Sequence, residues 1–333
     1  MPHSLSLEPD TAPDLSVSIV TYNSAHCLNT LLDSLALQEG VRWELFVVDN
    51  ASSDDSAARV REWKHANVTI NRSNVGFGRG HNQNLHRFRG RHVLFLNPDL
   101  TFSPGLFAGL VNFLDANPGV AVAGPAIVEG AHRIPSPPRR FYPGESIVAL
   151  EPELRRKDYA WVSGCCLAIR RPILQELGGF DPDYFLYGEE TDLCLRVRQA
   201  GYKVSWCPEH EVEHAGLQSQ IDLSDYARFR NLFEGTALFW EKHYPASEVR
   251  SMIQFQYLLT RLLLPLLEVL PSSLTTGIHA ERIRARRDVC RELVSRLAAY
   301  SSTGSYWRIG MRQLRVLVEW ARGGAFPLDA YFE

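Results

Sequence analysis

The chain has 333 residues, 45% of them hydrophobic, which is enough to bury the core of one large domain or of two smaller ones. Lysine and arginine number 35 and aspartate and glutamate 38, so the formal net charge is −3 and no nucleic-acid partner is expected. The 6 cysteines lack CxxC spacing, which argues against a zinc ribbon or a disulfide scaffold and favours a reducing compartment. No basic segment followed by an apolar run opens the sequence, so we expect no signal peptide and a cytoplasmic protein.

The first half of the chain alternates short apolar runs with amphipathic stretches, which is typical of β-α-β units and a mostly parallel sheet. Strands are predicted at residues 15–20, 43–48, 68–70 and 91–96, with a later one at 203–206, and helices at 25–38 and 57–64. Polar residues follow several of these strands, namely Thr21, Asn23, Asp49, Asn50, Asn97 and Asp99. Because ligands of open α/β sheets collect at the carboxyl ends of strands, the pattern predicts one shared cleft.

A glycine-rich stretch lies between the third and fourth predicted strands, with glycines at positions 76, 78 and 80. Its GxGxG spacing and its place after the third strand argue against a dinucleotide-binding fingerprint, and no GxxxxGK[ST] phosphate loop is present. A flexible glycine stretch would let backbone amides approach a diphosphate, with Arg79 as a charge partner. A plain turn before a helix is the alternative.

Two further segments carry acidic residues that are candidates for metal binding or for general-base catalysis. Asp99 offers a strand-end carboxylate of the kind that Mg²⁺ and Mn²⁺ prefer, with Asn97 as a neutral oxygen ligand, although the same residues also suit a type I turn. Glu189 and Glu190 stand where a loop is predicted to become a helix, so one of them could act as a general base or simply cap the helix. Asp192 and Arg196 have the i,i+4 spacing of an ion pair on a helix surface.

The segment from residue 251 onward changes character, with eleven arginines, no lysine and seven acidic residues. Residues 253–270 are strongly apolar but are interrupted by charged residues and a proline, which predicts an interfacial or packing helix instead of a membrane span. The amphipathic stretches 282–297 and 307–320 suit an anionic membrane surface. Packing on the rest of the chain or a homodimer contact would explain the same apolar helix faces, so these alternatives stay open.

Seven motifs in one order resemble glycosyltransferase family 2 enzymes of the GT-A fold, and among these the rhamnosyltransferase-like branch. The motifs are SIVTYN at 18–23, VVDNASSD at 47–54, NVGFGRGHN at 74–82, FLNPD at 95–99, WVSGCC at 161–166, GFD at 179–181 and FLYGEETDLCLR at 185–196. The resemblance implies an N-terminal tail over residues 1–14, a GT-A domain over 15–250 and a helical C-terminal extension over 251–333. That extension is expected to associate with a membrane or to oligomerise.

The resemblance also implies an activity. It is the inverting transfer of a sugar from a nucleotide diphosphate to a hydroxyl of a cell-surface polysaccharide or lipid-linked glycan precursor, with Mg²⁺ or Mn²⁺ at the diphosphate. The favoured donor is dTDP-L-rhamnose, and the expected location is the cytoplasm or the inner face of the cytoplasmic membrane. A UDP- or GDP-linked donor and a non-catalytic nucleotide- or glycan-binding module are the alternatives.

The resemblance finally assigns roles to individual residues. Glu190 falls on the position of the general base, which is usually Asp in the family, and Glu189 is the second choice. Asp99 and His214 are the expected metal contacts, and weak metal binding is expected because Asn97 replaces the first Asp of the family's Asp-x-Asp motif. Contacts to the acceptor are expected at Trp161, Gly164 and Tyr187. Contacts to the nucleotide sugar are expected at Thr21, Asn23, Asp49, Asn50, Asp54, Asn74, Gly76, Phe77, Arg79, Asn82 and Asn97.

Overall fold

A computed structural model describes residues 12–129, 134–136, 138–145, 150, 159–214, 224–269 and 280–297. The chain divides into two compact units, one drawn from residues 1–140 and 154–221 and the other from residues 141–153 and 222–333. The predicted domain boundary at residue 251 stays a prediction. Most of the predicted N-terminal tail and the whole predicted helix at 307–320 lie outside the described residues.

The first unit is built on a sheet of mixed strand direction. Its strands are β1 (Leu15–Thr21), β2 (Trp43–Asp49), β3 (Ala66–Ile70), β4 (His92–Leu96), β5 (Leu100–Phe102), β6 (Val120–Glu129), β7 (Ile134–Ser136), β8 (Cys166–Arg170) and β9 (Lys203–His214). They are ordered β3-β2-β1-β4-β8-β6-β9-β5, with β7 paired to β6. The strands β3, β2, β1 and β4 run parallel, and β8 joins β4 antiparallel. Every residue of β1, β2 and β4 is buried, as expected for strands covered on both faces.

Helices of the first unit pack against both faces of this sheet. They are α1 (Ala25–Ala36), α2 (Ser56–Arg61), α3 (Phe77–Asn82), α4 (Leu106–Ala116), α5 (Arg171–Glu176) and α6 (Glu189–Gln199). On one face, α1 and α4 contribute Leu31 and Leu110 to a core that includes Ile19. On the other face, α6 contributes Leu193 to a second core with Phe95. The sheet thus lies between two layers of helices, and the predicted α/β class is confirmed.

The predicted elements of the first half are present, with ends shifted by a few residues. Two differences matter for the cleft. The short strand β5 was not predicted, and β9 continues to His214 although only residues 203–206 were predicted as strand. An irregularity between Pro125 and Ala126 of β6 allows β9 to keep its parallel pairing past Pro208. The extended β9 then pairs antiparallel with β5, which places His214 opposite Leu100.

The described part of the second unit is helical, with α7 (Asp225–His243), α8 (Ala246–Val269) and α9 (Ala280–Leu297). A buried arginine helps to join these helices. The guanidinium carbon of Arg286 lies 3.9 Å from the ring centroid of Phe233 on α7, and its Nη1 donates to Gln256 Oε1 on α8 at 2.9 Å. None of the helices that the structure describes is long and apolar enough to cross a membrane.

Candidate active site

The carboxyl ends of β1 and β2 hold a compact polar network. The buried Asp49 carboxylate accepts hydrogen bonds from the backbone N–H of Ser52 at 3.0 Å and from its hydroxyl at 2.6 Å. Asn23, with φ of 49°, donates its backbone N–H to Ser52 Oγ at 2.9 Å, and its Oδ1 accepts from Ser53 N at 2.8 Å. The Thr21 hydroxyl is also buried and has no hydrogen-bond partner among the described residues. These hydrogen bonds hold the turn in place. The Thr21 hydroxyl remains able to form a hydrogen bond with a ligand.

Asn50 and Asp54 are used by the protein to hold neighbouring loops. The Asn50 side chain donates to Gly76 O at 3.0 Å and accepts from Asn71 Nδ2 at 2.8 Å, which ties the end of β2 to the glycine-rich stretch. Asp54 accepts from the N–H groups of Ala25 at 3.0 Å and Ser56 at 2.9 Å. Burial raises the pKa of Asp54, but these hydrogen bonds outweigh it, and the pKa is lowered overall. Their predicted contacts to a nucleotide sugar stay predictions.

The glycine-rich stretch is helical, so the prediction of a flexible stretch is wrong. Gly76 has a φ of 91° and precedes α3, with its N–H bonded to Asn74 Oδ1 at 2.9 Å. A Cβ atom at Gly78 would lie 2.9 Å from Phe180 Cβ, and one at Gly80 would lie 2.9 Å from Val20 Cγ2. The glycines thus allow α3 to pack closely on its neighbours, and the Phe77 N–H donates to Phe185 O at 2.9 Å.

His81 is a site residue that the sequence analysis missed. It is fully buried on α3, and its Nδ1 lies 2.8 Å from the hydroxyl oxygen of Ser18 on β1. The rings of Phe77 and Phe95 lie 4.4 Å and 4.8 Å from its own, centroid to centroid. Burial lowers the pKa of His81 to about 3, so the ring is neutral and supplies no charge to a diphosphate. The i,i+4 spacing of Phe77 and His81 was the available signal.

The two predicted metal contacts lie side by side. Asp99 sits between β4 and β5 and is 3% exposed. Its Oδ1 lies 3.3 Å from Nε2 of His214, although neither carboxylate oxygen has a well-formed hydrogen bond to a described residue. A buried carboxylate with open acceptor positions suits a divalent cation. The described residues contain no cluster of three or more His, Cys, Asp or Glu ligands, so such a cation would also need oxygens from a substrate.

The acidic pair begins α6 after two residues with left-handed backbone, Tyr187 (φ 69°) and Gly188 (φ 91°). Glu189 is 4% exposed and Glu190 is half-buried, and one oxygen of each lacks a hydrogen bond to the described residues. Burial, together with the charge of Glu190, holds the pKa of Glu189 well above its usual range. Burial also raises the pKa of Glu190, against the opposing effect of hydrogen bonds from nearby backbone groups. Strongly perturbed carboxyls of this kind are typical of catalytic sites.

The predicted pair of Asp192 and Arg196 is confirmed, with 2.7 Å between Oδ2 and Nε. It does not lie on the helix surface, however, because the Asp192 side chain is only 1% exposed. Arg196 also donates to the carbonyl oxygens of Leu177 at 3.0 Å and Gly179 at 2.9 Å. The pair therefore fastens α6 to the segment before it.

The predicted acceptor contacts surround the acidic pair only in part. A Cβ atom at Gly164 would lie 3.2 Å from Glu190 Cβ, so this glycine allows Glu190 to approach the backbone closely. Trp161 and Tyr187 are half-buried. The exposed ring of Phe185, which the sequence analysis left without a role, lies against Gly76. Arg79 is exposed, and its Nε donates to Pro182 O.

Comparisons with known proteins agree with this architecture. Residues 16–178 match the family model described as glycosyl transferase family 2. An N-acetylglucosaminyl-diphospho-decaprenol L-rhamnosyltransferase of Mycobacterium tuberculosis is 28% identical over 236 residues, which cover 60% of this chain and 75% of that protein. An O-antigen chain rhamnosyltransferase of Salmonella typhimurium is 25% identical over 209 residues, which cover 60% of this chain and 66% of that protein.

A solved structure shows the same fold. It is a mannosyltransferase from Pyrobaculum calidifontis in complex with GDP-Man and Mn²⁺, with a TM-score of 0.55 and 18% identity, covering 98% of this chain and 87% of that one. The chain thus has the GT-A fold. Residues 16–178 belong to glycosyltransferase family 2, as the motifs predicted. Because the family match ends at residue 178, the roles of Glu189 and Glu190 stay predictions.

Proposed function

We propose that this enzyme transfers L-rhamnose from dTDP-L-rhamnose, with inversion, to a hydroxyl of a cell-surface polysaccharide or lipid-linked glycan precursor. The observation that carries the proposal is a pair of carboxyl side chains, Asp99 and Glu190, each with an oxygen that no described residue engages. The reaction requires a group that holds the metal at the leaving diphosphate and a base that deprotonates the acceptor hydroxyl. Asp99 suits the first role and Glu190 the second. The names of the two rhamnosyltransferase relatives support the choice of sugar.

Glu190 is proposed to take the proton of the acceptor hydroxyl on the face of the sugar opposite the diphosphate. Glu190 as a residue is half-buried whereas Glu189 is buried, and burial raises the pKa of Glu190, which makes its carboxylate a stronger base. Gly164 leaves room beside it because a side chain there would press on Glu190. Glu189, which is buried and whose pKa burial and the charge of Glu190 hold well above its usual range, is the second choice for the base.

Asp99 and His214 are proposed to hold Mg²⁺ or Mn²⁺ together with the diphosphate. Their donor atoms, a buried carboxylate and an imidazole nitrogen 3.3 Å away, fit such an ion. The bound metal would stabilise the negative charge that develops on the leaving group. Asn97 supplies no second carboxylate, so we expect weaker binding than a two-carboxylate site gives.

The nucleotide is proposed to lie along the strand ends formed by Thr21, Asn23 and Asp49. Although Ser52 already bonds both oxygens of Asp49, a carboxylate oxygen can accept two hydrogen bonds, so a base edge can still be recognised. The Thr21 hydroxyl offers a further buried contact. The other nucleotide-sugar contacts expected from the family resemblance, apart from Asn82, are proposed on that resemblance alone.

Calorimetric titration of the full chain with dTDP-L-rhamnose, UDP-glucose and GDP-mannose, each with and without Mg²⁺, tests the donor. We expect metal-dependent binding that is tightest for dTDP-L-rhamnose, by at least about tenfold, since pocket contacts select the sugar and base. Tighter binding of another donor would keep the enzyme class and replace the substrate. Failure to bind any of the three would favour the non-catalytic alternative.

We also propose that the second unit contacts the inner face of the cytoplasmic membrane, with a homodimer as the alternative. On α8, the side chains of Leu258 and Leu262 are 57% and 60% exposed and lie one helical turn apart beside Arg261. Exposed apolar residues next to an arginine suit an anionic lipid surface.

Flotation with vesicles that contain anionic lipid should separate these alternatives. We expect the wild-type chain to float and the double variant Leu258→Asp/Leu262→Asp to lose at least about tenfold in binding, because the exposed leucines no longer insert. Substituting Leu32→Asp, an exposed leucine on α1, provides a matched control that should still float. Failure of the wild-type chain to float would count against membrane contact, and sedimentation would then test the dimer. Equal flotation of all three proteins would show that Leu258 and Leu262 do not make the contact.

A further inference from the structure

The segment 177–188, between α5 and α6, forms neither helix nor strand, yet it leads directly into Glu189 and Glu190. A loop in this place would leave the acidic pair poorly positioned unless other elements held its backbone. Several of its carbonyl groups accept hydrogen bonds from α3 or α6. Those of Leu177 and Gly179 accept from Arg196, and those of Pro182 and Phe185 accept from Arg79 and from the N–H of Phe77.

Asn82, at the end of α3, makes the central contact to this segment. Its Nδ2 donates to the carbonyl oxygen of Phe180 at 2.7 Å, and its Oδ1 accepts from the N–H of the same residue at 3.0 Å. A single side-chain amide thus pairs with both polar groups of one backbone residue, as a neighbouring strand would. The paired geometry fixes both the position and the orientation of the segment at Phe180.

The fit around this contact is close on both sides. Gly179 has a φ of 79°, and a Cβ atom there would lie 2.4 Å from Asn82 Oδ1, so only glycine leaves room for the amide. On α3, a Cβ atom at Gly78 would lie 2.9 Å from Phe180 Cβ and 3.7 Å from Glu189 Cβ. Helix α3 therefore packs closely against both Phe180, in the segment 177–188, and Glu189, the first residue of the acidic pair.

We propose that Asn82 is a positioning residue for the acidic pair, acting through the backbone of Phe180 and not through the nucleotide sugar. The inference rests on the proposed function, in which Glu190 is the base. It revises the expectation, drawn from the family resemblance, that Asn82 contacts the nucleotide sugar. A base that moves by about 1 Å can lose about 100-fold in rate while ligand binding elsewhere in the cleft is unchanged. A positioning residue and a binding residue therefore differ in which kinetic parameter they control.

The test compares the full chain with Asn82→Ala and with Asn82→Asp, which keeps the volume but sets an oxygen against the carbonyl of Phe180. We expect both variants to lose about 100-fold in kcat, while the dissociation constant for dTDP stays within about twofold of the wild type. Hydrogen exchange of the Phe180 amide should become about tenfold faster, because its acceptor is removed or displaced. Asn67→Ala is the matched control, since Asn67 on the edge strand β3 also donates to a backbone carbonyl, that of Leu45 at 3.2 Å.

Two results would overturn the proposal. One is a weakened affinity for dTDP with kcat unchanged, which would make Asn82 a ligand contact. The other is unchanged kcat and exchange in both variants, which would make the contact irrelevant to the acidic pair. If the wild-type chain itself transfers no sugar, the proposed function fails, and the exchange of residues 177–188 still shows whether Asn82 holds the segment.

Discussion

Replacing Glu190 with glutamine is expected to lower kcat by about 100-fold or more, with little change in the affinity for the nucleotide sugar. The amide has nearly the shape of the carboxyl group but cannot accept the proton of the acceptor hydroxyl. Glu189→Gln is the comparison variant, and its kcat should stay within about fivefold of the wild type. Burial and the charge of Glu190 hold the pKa of Glu189 well above its usual range, which favours the protonated carboxyl, and glutamine resembles that form.

The pH dependence gives a second measurement of the same prediction. A general base works only when deprotonated, so kcat/KM of the wild type should fall as the pH falls through the pKa of Glu190. Because burial raises this pKa, the acidic limb should lie above 4.5, the ordinary value for the group. The residual activity of Glu190→Gln should lack that limb. A large loss in Glu189→Gln together with near-normal activity of Glu190→Gln would assign the base to Glu189.

The sheet could be predicted from the sequence because its parallel strands are short apolar runs bounded by polar residues. Runs such as 15–20 and 43–48 are buried on both faces, so most of their side chains are apolar and the pattern is strong. The polar residues that follow these strands therefore predicted a site at the strand ends without knowledge of the strand order. The strand ends could be placed only to within a few residues, since pairing with neighbours extends them.

The glycine-rich stretch shows where sequence reasoning fails. Glycine commonly marks flexible chain, but at positions 78 and 80 it is required by Phe180 and Val20, which are distant in sequence. The contact of Asn82 with Phe180 is hidden for the same reason. Asp99 and His214 lie close together because of β5, a strand of 3 residues, and the irregular pairing of β9. Neither feature produces a local pattern in the sequence. Only the resemblance to a family pointed to His214.

The second large effect is expected at the metal contacts. Asp99→Asn should lower kcat/KM by about 100-fold, because a neutral amide replaces the buried carboxylate that would attract the cation, and such stabilisation is worth several kcal/mol. The affinity for Mn²⁺, measured by titration in the presence of dTDP, should fall in parallel. His214→Ala should have a smaller effect, since a neutral imidazole contributes no charge. The exposed His65, between α2 and β3, offers a control that should leave both quantities unchanged when replaced by alanine.

Asn97→Asp provides the opposite change at the same site and decides whether the cation binds where we propose. The family's motif has a carboxylate at this position, and its backbone is already fixed by the hydrogen bond from Asn97 N to Cys165 O at 2.9 Å. A second carboxylate near Asp99 would add charge for a hard divalent cation, so the affinity for Mn²⁺ should rise by about tenfold. Without metal, two adjacent carboxylates would repel, and the thermal stability of this variant should fall until Mn²⁺ and dTDP are added. If Mn²⁺ affinity is the same in Asp99→Asn, Asn97→Asp and the wild type, the metal binds elsewhere or not at all, and the leaving diphosphate must be stabilised by other groups of the cleft.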